Sequence, residues 1–203
     1  LNTLDDIGAA VNRMLKAKGL PQHEMDAYRF FVGDGWRVLV TRALPESCRT
    51  PEEIEDAMGR SKSFYEQGWN VHTRPYPGIA DLLNGLRERG LEMAVCTNKP
   101  HAFALDYVAA YLGEWAFAEV LGQDERFAPK PDPAGALAVA RAMQIEPAEI
   151  AFLGDSGVDV ETALAAGMRA FGAAWGFRGE PELREHGCPI ILDHPMALLQ
   201  FIS

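Results

Sequence analysis

The stretch AFLGDSGVDVETALAAGM, residues 151–168, decides the fold. Ala151, Phe152 and Leu153 read as a short buried strand, Gly154 permits a tight exit, and Asp155 stands at the strand's carboxyl end. That is where open α/β sheets bind ligands. A little further on, Asp159 opens a helical segment in which Val160, Ala163, Leu164 and Ala166 are spaced to pack on a sheet, with Gly167 as its stop. Two carboxylates thereby fall in one small volume. Unpaired they repel, so one reading places a hard divalent cation with oxygen ligands, most simply magnesium, between them or beside one of them. The other reading, also open at this level, has Asp159 capping the helix and Asp155 serving the turn.

Outward from this stretch the pattern alternates. A helix over 79–89, a strand over 91–96, a helix over 101–111, a strand near 118–121 and a helix over 133–143 precede it; strands at 170–174 and 190–192 and a last helix from Pro195 come after. Helices alternating with short apolar strands predict a doubly wound α/β core with a mostly parallel sheet. Upstream the character differs. Ile7, Ala10, Val11, Met14 and Leu15 recur at helical spacing after a Thr3…Asp6 start of the capping-box kind. Further helical runs lie at 23–31 and 36–44. Another starts at Thr50-Pro51-Glu52-Glu53, with threonine as cap, proline at the first helical position and acids in the first turn. The HTRPYPG segment at 72–78 breaks the two patterns, so 1–73 reads as an all-helical unit and 74–203 as the α/β core.

Composition excludes several classes. The 203 residues carry 29 acidic against 19 basic side chains, a net charge of −10, which disfavours sequence-independent binding to nucleic acid or to an anionic membrane. No apolar run approaches the length of a membrane helix and no secretory leader is read, so a cytoplasmic protein is expected. Cys48, Cys96 and Cys188 are odd in number and lack a CxxC pair, supporting neither a disulfide framework nor a zinc site. The sequence is compatible with a homodimer but does not specify one.

Two other places carry chemistry. LEMAVCTNKP, residues 91–100, is an apolar strand running into Thr97 and Asn98, where a hydroxyl and neighbouring amides at a strand exit suit a phosphate oxygen; a plain helix-capping threonine is the alternative. In APKPDP, residues 128–133, Lys130 is held between two prolines, so a stiff segment displays its ammonium at low entropic cost. Set among carboxylates and a phosphate-sized hydroxyl site, such a lysine can pair with both.

The order CTNKP, KPDP and GDSGVDVETALAAGM, together with FVGDGWRVLVTRAL in the helical unit, resembles the haloacid dehalogenase superfamily of phosphotransferases, and within it the phosphoglycolate phosphatases. The resemblance implies a helical cap domain on a Rossmann-like core and hydrolysis of a small phosphomonoester, most simply 2-phosphoglycolate, through an aspartyl phosphate with magnesium bound. It assigns Thr97 and Asn98 to the phosphate and Lys130 to neutralising phosphate and nucleophile. Asp155 becomes a magnesium ligand, and Asp159 a metal-side carboxylate that fixes the ion's water shell or Lys130. The Gly33-Asp34-Gly35 turn of the cap faces the substrate by the same analogy, and a plain connecting turn explains it equally well. Arg37 and Arg74 are weaker candidates for an anion contact, since most arginines of this kind are solvated or paired on the surface.

One family feature lies outside this reading. The nucleophile and general acid of the family sit in a DxDGT segment after the first core strand, and Leu1-Asn2-Thr3 resembles the residues directly downstream of that segment. The expectation is therefore a nucleophile upstream of residue 1, and a chain that without it binds phosphate and metal but does not turn over. A non-catalytic binding module, a phosphoglucomutase-like isomerase and a pyrophosphatase are the competing readings.

Overall fold

The computed structural model describes residues 1–33 and 35–202, which form two compact units, Leu1–Arg74 and Pro75–Ser203. The first unit is helical: α1 (Leu4–Ala17), a single 3₁₀ turn Met25–Ala27 leading into α2 (Tyr28–Phe31), α3 (Trp36–Ala43) and α4 (Pro51–Glu66). The expected helix over 23–31 is thus broken into two short pieces. Helix α1 packs along α4, and the apolar stripe of α1 supplies Val11, Met14 and Leu15, all fully buried, beside Tyr28, Val40 and Ala57.

Two helix starts in this unit bear on the sequence reading. Thr50 Oγ1 accepts the Glu53 N–H at 3.3 Å, as the Thr-Pro-Glu-Glu pattern implies. The capping box expected at Thr3 does not form: the Thr3 side chain makes no cap bond, and Asn2 Oδ1 accepts the Leu4 N–H instead. Asp6, expected to do no more than complement the helix start, is 1% exposed. Its carboxylate accepts the His72 N–H, the Thr73 N–H and the Thr73 hydroxyl at 2.7–2.8 Å. That anchor holds the end of the unit back onto its first helix, and Asn2 pairs with Arg74 beside it.

The second unit alternates α5 (Ile79–Glu88), β1 (Ala94–Pro100), α6 (His101–Tyr111), β2 (Glu119–Gln123), α7 (Ala134–Met143), β3 (Ala151–Gly154), α8 (Gly157–Ala165), β4 (Arg169–Ala173), α9 (Gly179–Glu185) and β5 (Ile190–Leu192), then a 3₁₀ segment Pro195–Gln200. Every strand pairing is parallel: β1 with β2, and β3 with β4 with β5. Neighbouring residues of a strand point to opposite faces. On β4, Ala170 joins Ala136, Ala140 and Ala163 of α7 and α8, whereas Phe171 joins Leu82 of α5, Leu192 and Leu198. The sheet is therefore clad on both sides, the doubly wound arrangement expected.

Hydrogen bonding divides the strands into two groups, and among the described residues no strand pairs with the remaining edge of β1 or of β3. An apolar cavity of about 440 Å³ takes Ala94 and Cys96 of β1 and Phe152 and Leu153 of β3 into its lining. Leu91 and Met93, expected to begin the strand, line the same cavity; the Met93 carbonyl accepts the Ala118 N–H at 2.8 Å, but the paired residues run only from Ala94, so β1 starts later than the apolar run suggests.

Candidate active site

Three segments of the second unit meet at the carboxyl ends of β1 and β3. From β1 come Thr97 and Asn98. Expected just beyond the strand, Thr97 lies within it, past the regular Ala94–Cys96 pairing, and its Oγ1 accepts the Lys99 N–H at 3.2 Å. Asn98 clamps the lysine segment: its Nδ2 donates to the Lys130 carbonyl at 3.0 Å and its Oδ1 accepts the Lys130 N–H at 2.8 Å. Both ends of one side-chain amide are thereby used on one backbone position. Thr97, Asn98 and Lys130 also line a hollow of about 20 Å³, room for a single water-sized group.

Lys130 is displayed as the flanking prolines suggest, and the Lys130–Pro131 peptide is cis. Its ammonium donates to the Cys96 carbonyl at 3.1 Å and to Asp159 Oδ1 at 2.5 Å, with the Phe152 ring 5.6 Å away. The pair is enclosed, the Lys130 side chain 13% and the Asp159 side chain 11% exposed. Burial opposes both charges, but the Asp159 carboxylate outweighs it for Lys130, whose pKa rises, and Lys130 and Ser156 outweigh it for Asp159, whose pKa falls. The pair is fully charged at neutral pH.

The turn after β3 is built around Asp159. Helix α8 starts at Gly157, not at Asp159: Ser156 is its N-cap, and Asp159 completes a capping box from inside the first turn. Asp159 Oδ2 accepts the N–H groups of Asp155 and Ser156 at 3.2 Å and the Ser156 hydroxyl at 2.7 Å. So close an approach requires Gly154, where a Cβ would lie 2.1 Å from the Cβ of Asp159. Asp159 thus caps the helix and also holds the lysine.

Asp155 is placed differently. Its carboxylate accepts the Phe177 N–H, at 3.2 Å to Oδ2. Gly176 permits this contact, since a Cβ there would sit 2.1 Å from the Cβ of Asp155. Burial, and then the charge of Asp159, push the Asp155 carboxyl above its ordinary range, against the Phe177 hydrogen bond and the positive charges of the chain's amino group and Lys130. A half-buried carboxylate with a like charge beside it is an environment that a hard cation would relieve. The oxygen donor fits magnesium, although no group of three or more His, Cys, Asp or Glu side chains suited to a metal forms among the described residues.

The match to known proteins runs through the same residues. The profile of the haloacid dehalogenase-like hydrolases covers residues 3–167, which include Thr97, Lys130, Asp155 and Asp159. The chain belongs to this family. The hydrolase is 35% identical over 204 residues to phosphoglycolate phosphatase 1 of Pseudomonas aeruginosa, spanning 98% of this chain and 74% of that protein. It is 29% identical over 208 residues to the phosphoglycolate phosphatase of Haemophilus influenzae, spanning 100% of this chain and 93% of that one. Among solved structures, a candidate phosphoglycolate phosphatase from Lactobacillus delbrueckii subsp. bulgaricus superposes with a TM-score of 0.92 at 26% identity, covering 99% of this chain and 92% of that chain. The resemblance read from CTNKP, KPDP and GDSGVDVETALAAGM is borne out at family level.

Of the residues singled out from sequence, Asn98, Lys130, Asp155 and Asp159 are linked through the contacts above, and Thr97 adjoins them on β1. Gly33 is an exposed glycine with φ +126° in the helical unit. Asp34 lies outside the described residues. Arg37 pairs with Glu55, and Arg74 donates to the carbonyls of Val71 and Thr73 within its own unit. Ser156, Gly176 and Phe177 join the site without having been expected there. Ser156 is legible as the cap one step before a Gly-x-Asp turn, whereas the backbone N–H of Phe177 carries no side-chain signal.

Proposed function

We propose that this hydrolase is a magnesium-dependent phosphatase of the cytoplasm that cleaves a small phosphomonoester, 2-phosphoglycolate being the first candidate. The observation that carries the reading is the Lys130 ammonium, fixed by Cys96 and Asp159 beside a second carboxylate, Asp155, that is held by the Phe177 N–H. An ammonium has three N–H donors. Two of those on Lys130 are engaged by protein, leaving the third for an oxygen of the phosphoryl group, with Thr97 and Asn98 at its flank. The raised pKa keeps Lys130 cationic, so its part is to neutralise charge and not to take a proton.

Asp155 would hold the magnesium ion, which supplies Lewis-acid stabilisation of the phosphoryl oxygens when bound. Asp159 works through Lys130, setting its position and keeping it charged. Neither aspartate is free to attack phosphorus in this scheme. The substrate assignment is supported by the phosphoglycolate phosphatase relatives, and a cytoplasmic home by three unbridged cysteines.

The test is a panel of phosphoesters, including 2-phosphoglycolate, glucose 1-phosphate and pyrophosphate, run with and without magnesium on protein extended upstream of Leu1. Magnesium-dependent release of phosphate from 2-phosphoglycolate, lost on Asp155→Asn, supports the reading. Preference for glucose 1-phosphate or pyrophosphate moves the substrate, and inertness toward every ester leaves a phosphate-binding module.

A further inference from the structure

The loop carrying Asp155 and the loop carrying its hydrogen-bond donor are joined a second time, by a residue of α9 that no sequence motif marks as part of the site. Glu182 Oε1 accepts the N–H of Gly157 at 3.1 Å, two positions beyond Asp155. Its other oxygen pairs with the Arg178 guanidinium at 3.2 Å, one position beyond Phe177. Both partners of this pair are largely enclosed, Arg178 at 16% and Glu182 at 25% side-chain exposure. Next to Glu182, Leu183 is fully buried and fixes α9 in the core, so the clamp is mounted on a rigid part of the unit.

We infer that Glu182 is a positioning residue for the cation site: its two oxygens hold loops 155–157 and 176–178 at the spacing that leaves Asp155 Oδ2 on the Phe177 N–H and the rest of the carboxylate for the ion. This rests on the magnesium reading of Asp155 given above. A carboxylate that caps only the first turn of α8 would need the Gly157 contact alone. The ion pair with Arg178, an i,i+4 pair from the N-cap position of α9, reaches further. It ties the cap to the loop that orients Asp155, and outer-shell partners of this kind set metal affinity by ~10–100-fold.

The test is titration of the full chain with magnesium chloride in a calorimeter, together with amide exchange at Phe177. Glu182→Ala is expected to raise the magnesium dissociation constant by ~10-fold or more and to speed exchange of the Phe177 N–H, a bond the substitution does not touch. Glu182→Gln and Arg178→Met each cut the ion pair and keep an acceptor for Gly157, and are expected to fall between wild type and Glu182→Ala; they decide the matter if the alanine variant fails to fold. Unchanged affinity and unchanged Phe177 exchange in these variants, with binding abolished by Asp155→Asn, overturns the role of Glu182 and leaves the magnesium reading intact. Absence of magnesium binding by the wild-type chain overturns both.

Discussion

Two aspartates, one in each unit, differ in how the fold treats the charge of a buried carboxylate. Asp6 in the helical unit accepts three hydrogen bonds from His72 and Thr73 and has no acidic neighbour among those contacts. Asp155 in the α/β unit accepts the Phe177 N–H and faces the charge of Asp159. The first has its charge dispersed over donors supplied by the fold. The second has burial and a like charge against it, which outweigh the Phe177 hydrogen bond and Lys130, so the same residue type sits at ease in one region and under electrostatic load in the other.

The contrast is broken or sharpened most strongly at Asp155. Asparagine there is expected to reduce magnesium-dependent phosphate release by at least ~10³-fold, the scale of the several kcal/mol a bound cation contributes at 1.36 kcal/mol per tenfold, while leaving thermal stability equal or higher. The pH dependence carries the same signature. Because the folded-state pKa of Asp155 is raised above 3.8, its contribution to stability is lost as pH rises through the window above that value; the lowered pKa of Asp159 acts the other way, its contribution being lost as pH falls through the window below 3.8. Urea midpoints of wild type and Asp155→Asn should therefore converge toward acid and diverge above it in favour of the variant, and magnesium should close that gap.

Next in size is Lys130→Met. It leaves the Asp159 charge enclosed and unpaired, and is expected to cost ~3–5 kcal/mol in chemical unfolding. A cost near zero would mean that Asp159 is carried by Ser156 and the turn alone. Asp6→Asn puts an amide N–H where a donor already points, and is expected to cost ~2–3 kcal/mol with no change in magnesium affinity; a change in affinity would dissolve the distinction between the two aspartates. The smallest effect belongs to the two caps. Thr50→Ala should cost ~1 kcal/mol, and Ser156→Ala more, because the Ser156 hydroxyl also donates to Asp159.

How far the sequence is legible depends on the range of the interactions. The AFLGD run, the Thr-Pro-Glu-Glu start of α4 and the proline-flanked Lys130 are local patterns, each decided by neighbours within one turn, and they appear where expected. The anchoring of Asp6 is not legible because its partners lie more than sixty residues away, and a helix-start acid looks the same whether it faces water or Thr73. The late start of β1 has a similar cause: Leu91 and Met93 are apolar enough for a strand, but the ladder with β2 begins only at Ala94. Helix α9 escapes sequence reading since its short, mostly polar run GEPELRE offers a single fully buried side chain, Leu183, and hence no period. With α9 goes Glu182.

The cavity between β1 and β3 has a practical outcome at the bench. Two parallel edges left without a strand partner among the described residues, beside an oily hollow, invite any extended chain to dock, including another copy of the same molecule. Residues 1–203 should accordingly sediment faster as concentration rises, and lose soluble material on warming well before their helices melt.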